Sequence, residues 1–373
     1  EEKAFPKIKK ILFKSEPTES FDGISCKSWS EVAQEILGNL EEEDCKALLG
    51  DIIDEEIKNF QPILSGANSK VFRFNNSIGK TLVLKIYPDK TFDKSPRLDN
   101  EIQALQSLKP YGMTPGLISC DRLKNLSVLE FVEGETPSKI GNSEICQALS
   151  FVKMLLEFSR KTSESFELAS EACLCPEQIE KQIYTRLRKL QEVENPKLDV
   201  FLKYEFSHLL EETLERAKQT YGNEEHWSID LPKQKRILSP GDFGFHNSIQ
   251  DQCGKLKFID LEYFGWDEPV KLIAEFPLHP AMNLNKKCKE HWLKECLSMF
   301  EETDQDLASR LEATTPLYAL RWALITLNPF LNIKKKGNSS TCPTAKSTDL
   351  DEQILKARHL CELVNSKYFL SYA

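Results

Sequence analysis

Apolar residues between positions 61 and 134 follow first the two-residue period of β-strands and then the period of a helix. Residues 81–87, TLVLKIY, alternate as a strand does, and residues 97–108, RLDNEIQALQSL, carry leucine and isoleucine at helical spacing. Residues 127–134, SVLEFVEG, are typical of a buried strand that runs into a turn. This order predicts a small β-rich unit that includes one helix.

The helix of this unit has a start signal and an apolar face. Ser95 is a favoured N-cap residue, and Pro96 is well suited to the first helical position. The apolar residues at helical spacing are Leu98, Ile102, Leu105 and Leu108. We therefore expect a helix that begins at Pro96.

After the β-rich part, long amphipathic patterns dominate the chain. Helical spacing is clear in residues 144–160 and 176–218, and it resumes around residues 270–332. A last helix is expected over Asp351–Val364. Its packing residues are expected to be Ile354, Leu355 and Leu360.

Two charged or polar stretches fall outside these elements. Residues 1–60 are charge-rich, and within them Ser28 and Glu31 form a capping box. A second helix is expected over Glu42–Phe60, so this stretch is either a packed helical extension or the remnant of another domain. Residues 334–349 are poor in apolar residues, which favours a mobile loop.

Composition and charge exclude several classes of protein. The 373 residues are enough to bury a large core and to form two or three domains. Hydrophobic residues make up 40% and charged residues 29%, which are ordinary globular values. No uninterrupted apolar run approaches the roughly 18 residues of a membrane span. A net charge of −9 argues against general nucleic-acid binding. We therefore expect neither a membrane nor a nucleic acid as a partner.

The eleven cysteines are scattered without the spacing of a metal site or a disulfide framework. Cys173 and Cys175 are too close together for a zinc pair, and no second pair lies nearby in the sequence. Reduced, mostly buried thiols are therefore expected, and with them a cytoplasmic location.

Residues 241–260, GDFGFHNSIQDQCGKLKFID, carry the strongest chemical signal in the chain. Asn247 follows Asp242 by five residues, and Asp260 comes 13 residues later at the end of a short apolar run. In phosphoryl transfer, one carboxylate orients the attacking hydroxyl and takes its proton, while an amide oxygen and a second carboxylate hold Mg²⁺. The spacing favours this chemistry over the structural alternative, in which the three residues cap turns and strand ends.

The stretch between the two halves of this signal has the pattern of a hairpin. Ser248-Ile249 and Leu256–Ile259 are short strand candidates, and Asp251–Gly254 between them has turn chemistry. A hairpin of this length is expected to bring Asn247 and Asp260 side by side, as shared metal ligation requires.

Lys85 lies inside the apolar strand TLVLKIY. A lysine in such a strand is costly unless its ammonium group meets a partner. Nucleotide phosphates and a carboxylate of the following helix are the expected partners, as in the strand lysine of kinases. Glu101 is the favoured carboxylate and Asp99 is its rival. The alternative is an edge strand from which Lys85 points to solvent.

A turn upstream of Lys85 supplies a candidate phosphate contact. Residues 62–74, PILSGANSKVFRF, place Gly66 and small polar residues, Ser69 among them, between two apolar runs. Such a turn lets backbone N–H groups approach phosphates closely. We therefore expect Gly66 and Ser69 to contact the nucleotide.

The sequence GDFGFHN followed by FIDLEYFGWDEP resembles the aminoglycoside phosphotransferase and choline kinase group of small-molecule kinases. That group carries His-Gly-Asp, an Asn after four further residues, Ile-Asp-x-Glu and then a Pro. The residues of this chain that match are Gly241, Asp242, Asn247, Ile259, Asp260, Glu262 and Pro269. The resemblance extends over about residues 61–330.

The resemblance implies an α+β, two-lobed fold like that of protein kinases. Residues 61–134 would form a small β-rich lobe that binds the nucleotide, and residues 135–373 a larger, mostly helical lobe with the catalytic loop and substrate pocket. Residues 1–60 would then be an extra helical extension at the N-terminus.

The same resemblance implies the roles of individual residues. Asp242 would be the catalytic base, and Asn247 and Asp260 would be the ligands of Mg²⁺ beside ATP. The backbone of Glu130 and Val132 would meet the adenine edge. The acceptor would be a hydroxyl of a small molecule, such as an amino alcohol, a sugar or an aminoglycoside.

Two positions depart from the pattern of that group. Pro240 stands where the group has His, and Lys271 stands where it usually has Asp. Because both positions anchor the catalytic loop in the group, a catalytically inactive, pseudokinase-like binding protein is the alternative function. His246 is either a loop filler or faces the substrate, and His279 is expected to be a structural histidine.

Residues just after Asp260 are candidates for the acceptor pocket. The aromatic residues Tyr263, Phe264 and Trp266 either pack a loop against the core or line the pocket. Asp267 and Glu268 are the nearest acidic candidates for contact with an amine or a sugar hydroxyl. Nothing in the sequence fixes the oligomeric state.

Overall fold

The computed structural model describes residues 46–365 with gaps at residues 48, 51, 54–55, 64–68, 89–94, 223–224 and 332–346. The predicted capping box of Ser28 and Glu31 lies outside the described residues. So do Gly66 and most of the predicted polar loop.

The chain divides into two compact units. The first comprises the described residues up to Gly134 together with Lys257–Tyr263, and the second comprises Glu135–Leu256 and the chain from Phe264 onward. Asp260 therefore belongs to the first unit, although it comes after residue 135 in the sequence.

A five-stranded sheet forms the framework of the first unit. Its strands are β1 (Lys58–Pro62), β2 (Lys70–Asn75), β3 (Thr81–Ile86), β4 (Leu117–Asp121) and β5 (Leu126–Glu130). Their order in the sheet is β1-β2-β3-β5-β4, and each neighbouring pair is antiparallel.

The core of the first unit is built from alternate residues of these strands. Leu82, Leu84 and Ile86 of β3 join one buried cluster with residues of β1, β2 and β5. Because successive side chains of a strand point to opposite faces, Lys85 lies on the other face of the sheet.

The helix predicted over Glu42–Phe60 is wrong at its end, since Lys58–Pro62 forms β1. Phe60 is buried against Phe72, with ring centroids 4.9 Å apart. Local helical preference is a weak determinant, and here burial of an aromatic side chain against the sheet outweighs it.

Helix α1 (Arg97–Leu108) lies between β3 and β4 in the chain. It begins one residue later than predicted, with Pro96 at the N-cap position and no side-chain hydrogen bond there. Its buried residues are Leu98, Asn100, Glu101, Ile102, Ala104, Leu105 and Leu108. The predicted apolar face is thus present, and it includes one carboxylate, that of Glu101.

The second unit is mostly helical. Its helices are α2 (Asn142–Lys161), α3 (Pro176–Gln191), α4 (Pro196–Val200), α5 (Ser207–Tyr221), α6 (Pro269–Leu278), α7 (Lys286–Phe300), α8 (Leu307–Thr326) and α9 (Ser347–Asn365). A π-helical segment, Phe201–Phe206, joins α4 to α5. Helix α8 packs against α3, α5, α6 and α9.

Helix α9 corrects one predicted packing residue. Ile354 and Leu360 are buried as predicted, whereas Leu355 is 61% exposed. Ala357 and Val364 share the buried face instead. The helix advances about 100° per residue, so Leu355 is turned away from the face that Ile354 occupies.

Two short pairs of strands flank the motif residues. β6 (Ile237–Ser239) pairs with β9 (Gly265–Asp267), and β7 (Ser248–Gln250) pairs with β8 (Leu256–Phe258) as predicted. Asp251 Oδ1 accepts backbone N–H groups of the turn that joins β7 to β8.

The combination of a sheet-based unit and a helical unit confirms the predicted α+β class. Among the described residues, no helix combines the length and the apolar character that a membrane span requires.

Candidate active site

Three carboxylates of the first unit surround the ammonium group of Lys85. Lys85 Nζ lies 2.6 Å from Glu101 Oε2, 2.5 Å from Asp260 Oδ1 and 3.1 Å from Glu262 Oε2. Lys85 is only 5% exposed. The alternative in which Lys85 points to solvent is therefore wrong.

The geometry of α1 decides which of two carboxylates reaches Lys85. Glu101 is buried on the inner face, whereas Asp99 Oδ1 accepts a hydrogen bond from Arg122 Nε at 2.8 Å near the surface. Residues two positions apart in a helix point about 200° apart, so they cannot share a face. The predicted pair of Lys85 with Glu101 is confirmed, and Asp99 is not its partner.

Glu101 is held by donors from several elements besides Lys85. The Tyr87 hydroxyl donates to Glu101 Oε2 at 2.6 Å and lies 2.9 Å from Ser127 Oγ. The backbone N–H of Leu261 donates to Glu101 Oε1 at 3.1 Å. Both carboxylate oxygens are thus engaged, which fixes the group that faces Lys85.

Burial and charge act in opposite directions on the groups around Lys85. Burial lowers the pKa of Lys85, but Glu101 and Asp260 raise it, and the net pKa lies well above the ordinary value. Burial raises the pKa of Asp260 to about 6, aided by Glu101 and Glu262 and opposed by Lys85. Lys85 therefore stays charged in a neighbourhood rich in carboxylates.

Glu262, of the Ile-Asp-x-Glu sequence, connects three parts of the first unit. Its Oε2 accepts a hydrogen bond from Ser69 Oγ at 2.9 Å, and its Oε1 accepts one from Arg97 Nη1. Burial raises the pKa of Glu262, but Lys85 and Arg97 lower it below the ordinary value. Ser69, predicted to contact the nucleotide, is therefore anchored by an ionised motif residue.

Asp260 has an unusual backbone conformation. Its φ of 62° lies in the left-handed region, which few residues other than glycine adopt and which aspartate tolerates better than most. Its side chain is 39% exposed while Oδ1 contacts Lys85. Backbone strain of this kind concentrates at functional sites.

The end of β5 carries the residues predicted to meet adenine. The backbone N–H of Glu130 donates to Gly116 O at 2.8 Å, and the Glu130 carboxylate accepts from Gly116 N–H and from Lys257 Nζ. The N–H of Glu130 is therefore already engaged within the first unit. Val132 is half-buried just beyond the strand.

In the second unit, Asp242 follows β6 across a tight turn. Gly241 has a φ of 80°, which glycine adopts without strain. Asn247 Nδ2 donates to the backbone oxygen of Asp242 at 3.0 Å and to Asp242 Oδ2 at 3.2 Å. Because its amide N–H groups serve Asp242, Asn247 keeps Oδ1 as the atom that can ligate a metal.

Two histidines face the carboxylate of Asp242. His246 Nε2 lies 3.1 Å from Asp242 Oδ1, and His279 Nε2 lies 3.9 Å from the same oxygen. The two imidazole rings stack with centroids 3.9 Å apart and planes within 4°. His246 is therefore more than a loop filler, and His279, the expected structural histidine, packs against its ring.

The charges in this group differ from those around Lys85. Burial raises the pKa of Asp242, but the hydrogen bond from His246 and the influence of His279 and Asn247 bring it below its ordinary value. Burial and the neighbouring His246 lower the pKa of His279 to about 4. At neutral pH an ionised Asp242 thus faces a neutral His279.

The sequence contained only part of the signal for this histidine pair. His246 stands next to Asn247 in the motif, which drew attention to it. His279 lies 33 residues further on, just past the end of α6, and no spacing rule connects it to the motif.

The acidic candidates for the acceptor pocket are committed to other partners. Asp267 Oδ2 pairs with Lys271 Nζ at 2.9 Å, and Asp267 Oδ1 accepts the N–H of Cys173 at 3.0 Å. Glu268 Oε1 accepts a hydrogen bond from Arg310 Nε at 2.7 Å. Both carboxylates are almost fully buried, so neither candidate is available for contact with an acceptor.

Lys271 is one of the two departures from the family pattern, and its ammonium group has partners in the structure. It is 2% exposed, and besides Asp267 its Nζ contacts the backbone oxygen of Glu171 at 2.8 Å. The carboxylates of Asp267 and Glu275 raise its pKa, although burial lowers it. Lys271 therefore forms a buried ion pair with Asp267, the carboxylate four residues before it in the same region of the chain.

Two of the three aromatic candidates belong to the core. Phe264 and Trp266 are 2% and 7% exposed, and Phe264 packs edge-on against Phe166 with ring centroids 5.6 Å apart. Tyr263 is half-buried, with the Arg97 guanidinium 4.7 Å from its ring centroid. Phe264 and Trp266 therefore stabilise the fold and do not line an acceptor pocket.

The predicted metal ligands supply a fitting set of donor atoms. Asn247 retains an amide oxygen, and Asp260 retains exposure at its carboxylate. Oxygen donors of this kind suit Mg²⁺. The two residues belong to different units, so their joint ligation of one metal stays a prediction.

Solved structures of small-molecule kinases are similar to this chain. Plasmodium vivax ethanolamine kinase has a TM-score of 0.56 and 16% identity, with 94% of this chain and 97% of that chain covered. An amicoumacin kinase in complex with AMP-PNP and Ca²⁺ has a TM-score of 0.57 and 12% identity, with coverage of 91% and 99%. The aminoglycoside phosphotransferase APH(4)-Ia has a TM-score of 0.52 and 15% identity, with coverage of 86% and 98%.

No family model and no curated protein matches the sequence. The similarity to solved structures therefore concerns the fold. This chain has the fold of the choline and ethanolamine kinases and the aminoglycoside phosphotransferases, and the fold implied by the motif at Asp242 is confirmed.

Proposed function

We propose that this protein is an ATP- and Mg²⁺-dependent kinase that phosphorylates a hydroxyl group of a small molecule. The observation that carries the proposal is the ionised Asp242 carboxylate, held by the amide of Asn247 and the imidazole of His246. Its occurrence in a chain with the fold of small-molecule kinases adds support.

In the proposed reaction, Asp242 orients the acceptor hydroxyl and receives its proton. The hydroxyl oxygen forms a bond to the γ-phosphorus, the bond from that phosphorus to the β–γ bridging oxygen breaks, and ADP leaves. A carboxylate with a lowered pKa stays ionised and available for this contact at neutral pH. Positioning and electrostatic stabilisation supply most of the rate in such transfers.

Lys85 is proposed to hold the phosphates of the nucleotide. Glu101 would orient the ammonium group, since both its oxygens are fixed by donors of the first unit. The raised pKa of Lys85 supports a permanent positive charge for contact with phosphate. Gly66 and Ser69, which precede β2 in the sequence, would supply further contacts.

Asn247 and Asp260 are the proposed ligands of Mg²⁺, through an amide oxygen and a carboxylate oxygen. A divalent cation in such a site neutralises charge on the β- and γ-phosphates. The backbone of Glu130 and Val132 is proposed to meet the adenine edge.

The acceptor is proposed to be an amino alcohol, a sugar or an aminoglycoside-like molecule. Proteins of the same fold are described as ethanolamine, choline, amicoumacin and aminoglycoside kinases. Since Asp267 and Glu268 are committed to Lys271 and Arg310, they do not serve as recognition groups for a cationic amine. A cytoplasmic location is part of the same proposal.

A coupled assay of ADP release tests the proposed function. Purified protein is incubated with MgATP and a panel of amino alcohols, sugars, nucleosides and aminoglycosides, beside the variant Asp242→Asn. We expect acceptor-dependent ADP release that falls by at least about a thousandfold in the variant, since it loses the base.

Two results would contradict a kinase. Nucleotide binding without turnover for any acceptor would favour the pseudokinase-like binding protein, for which Pro240 and Lys271 are the reasons to test. Failure to bind MgATP at all, measured by calorimetry, would remove the basis of both functions.

A further inference from the structure

The carboxylate of Asp242 receives hydrogen-bond donors at both of its oxygens. Asn247 Nδ2 donates a hydrogen bond to Oδ2, and His246 Nε2 donates one to Oδ1 at 3.1 Å. His279 Nε2 approaches the same Oδ1 at 3.9 Å, which is too long for a hydrogen bond but close enough for an electrostatic contribution. The motif pattern accounts for Asn247, and it does not account for either histidine.

The environment of His279 determines where its proton lies. The backbone N–H of Ala281 donates to His279 Nδ1 at 3.2 Å. A nitrogen that accepts a hydrogen bond carries no proton, so the neutral ring carries its proton on Nε2, the atom that faces Asp242. His279 therefore directs an N–H group toward the carboxylate.

The ring of His246 lies against Gly244, a residue without a side chain. A Cβ atom at Gly244 would lie 2.5 Å from His246 Nδ1 and 2.9 Å from Met282 Sδ, both shorter than real contacts. Gly244 thus leaves room for this ring. His246 Nδ1 is buried and has no hydrogen-bond partner among the described residues, which leaves Nε2 as the atom that bonds to Asp242.

Stacking joins the two imidazoles into one support. Their centroids lie 3.9 Å apart, and the indole of Trp322 meets the outer ring, His279, edge-on at 4.5 Å. This stack restricts rotation of His246 about its side-chain bonds, since a rotated ring would collide with His279. The Nε2 atoms of both rings consequently stay directed at Asp242.

The same three side chains lie close enough together to suggest a metal site. One feature opposes that interpretation. An ion that binds an imidazole lies near the plane of its ring, and two parallel rings 3.9 Å apart cannot both direct their planes at one ion.

We infer that His246 and His279 are positioning residues, which hold the Asp242 carboxylate in the orientation that accepts the proton of the acceptor hydroxyl. His246 acts by its hydrogen bond, and His279 acts by fixing the ring of His246 and by its own N–H group. The inference rests on the proposed kinase function, because it assigns a purpose to Asp242.

The test compares two substitutions of His246 that differ in one property. His246→Leu fills similar space without a donor, whereas His246→Gln places an amide nitrogen as far along the side chain as Nε2 of histidine. We expect kcat to fall by about tenfold or more in the Leu variant, because a hydrogen bond to a charged group is lost. The Gln variant should recover most of that loss.

The measured quantities separate positioning from a general structural role. Turnover of MgATP is followed with the acceptor that is active in the panel, and with water as acceptor if none is. A positioning role predicts an unchanged KM for MgATP and a lowered kcat. His208→Leu, at an exposed surface position, is the control and should keep both values.

A second variant guards against poor folding of His246→Leu. Gly244→Ala keeps the histidine and displaces its ring, since the new Cβ would overlap Nδ1 and Cε1. We expect Gly244→Ala to lower kcat as the Leu variant does, with an unchanged KM for MgATP.

The outcomes distinguish this inference from the function beneath it. Absence of turnover in the unmodified protein overturns the proposed kinase and the positioning role together. Turnover in the unmodified protein with equal kcat in His246→Leu, His246→Gln and Gly244→Ala overturns the positioning role alone. A kcat lowered in His246→Leu and Gly244→Ala and restored in His246→Gln supports both.

Discussion

Two carboxylate centres of this protein are held by opposite means. Around Lys85, full charges of opposite sign meet at 2.5 to 3.1 Å, with three carboxylates facing one ammonium group. Around Asp242, one carboxylate is held by the amide of Asn247 and by imidazoles, of which His279 is neutral at pH 7.

The difference matches what each centre would have to do in phosphoryl transfer. A cation that must meet phosphate is best held by carboxylates that raise its pKa and prevent loss of its proton. A base must keep an available negative charge, and a lysine bound to Asp242 would neutralise it. Neutral donors fix the orientation of a carboxylate and leave its charge in place.

The largest expected effect comes from removing the cation at the centre of the first cluster. Lys85→Met keeps the length of the side chain but leaves Glu101, Asp260 and Glu262 without their shared partner. Loss of one member of a buried ion pair typically costs about 3–5 kcal/mol of unfolding free energy. Urea unfolding at pH 7 measures this loss.

Lys181→Met is the matched control for that experiment. Lys181 pairs with Glu177 on an exposed helix surface, so its removal should leave the unfolding midpoint almost unchanged. Equal midpoints for Lys85→Met and the unmodified protein would show that the cluster contributes no stability.

The group around Asp242 is expected to make the unfolding free energy depend on pH, through His279. The pKa of His279 is about 4 in the folded protein against an ordinary 6.5, so the unfolded chain binds the extra proton between these values. The stabilisation is fully present above pH 6.5 and is lost as the pH falls toward 4. We expect a loss of about 2 kcal/mol between pH 7 and pH 5.

His279→Gln isolates that contribution from the rest of the protein. The variant has no ionisable group at this position, so its unfolding free energy should fall less between pH 7 and pH 5 than that of the unmodified protein. Asp242 and His246 face the same group and are kept unchanged in both proteins. Parallel pH curves for the two proteins would contradict the assignment.

The smallest expected effect tests whether Asp99, in addition to Glu101, supports Lys85. Asp99→Ala removes a carboxylate that lies two residues from Glu101 but pairs with Arg122 near the surface. Because exposed pairs contribute little, we expect a change in unfolding free energy below about 1 kcal/mol. A loss as large as that of Lys85→Met would mean that Asp99 supports the lysine.

Several elements followed directly from local sequence patterns. The alternation of TLVLKIY placed Lys85 in a strand, and the helical spacing of residues 97–108 put Glu101 on a buried face. The hairpin of β7 and β8 was expected from its turn residues. In each case the determining interactions lie within a few residues of one another.

Other features could not be obtained in this way. Asp267 and Glu268 were candidates for contact with an acceptor, yet they are buried in ion pairs with Lys271 and Arg310. Phe60 was expected in a helix, yet it completes a core with Phe72. These outcomes depend on partners from distant parts of the chain, or on competition between local preference and burial.

By itself, the sequence determined the α+β class and the order of the motif residues. It also identified Asp242, Asn247 and Asp260 as the candidate base and metal ligands. Only the tertiary structure decided that Asp260 and Glu262 join Glu101 around Lys85 and that His279 stacks on His246 beside Asp242. The physical reason is the distance along the chain between the residues that interact. Strand and helix periodicity is a property of neighbouring residues, whereas burial, ion pairing and pKa are set by groups that only folding brings together.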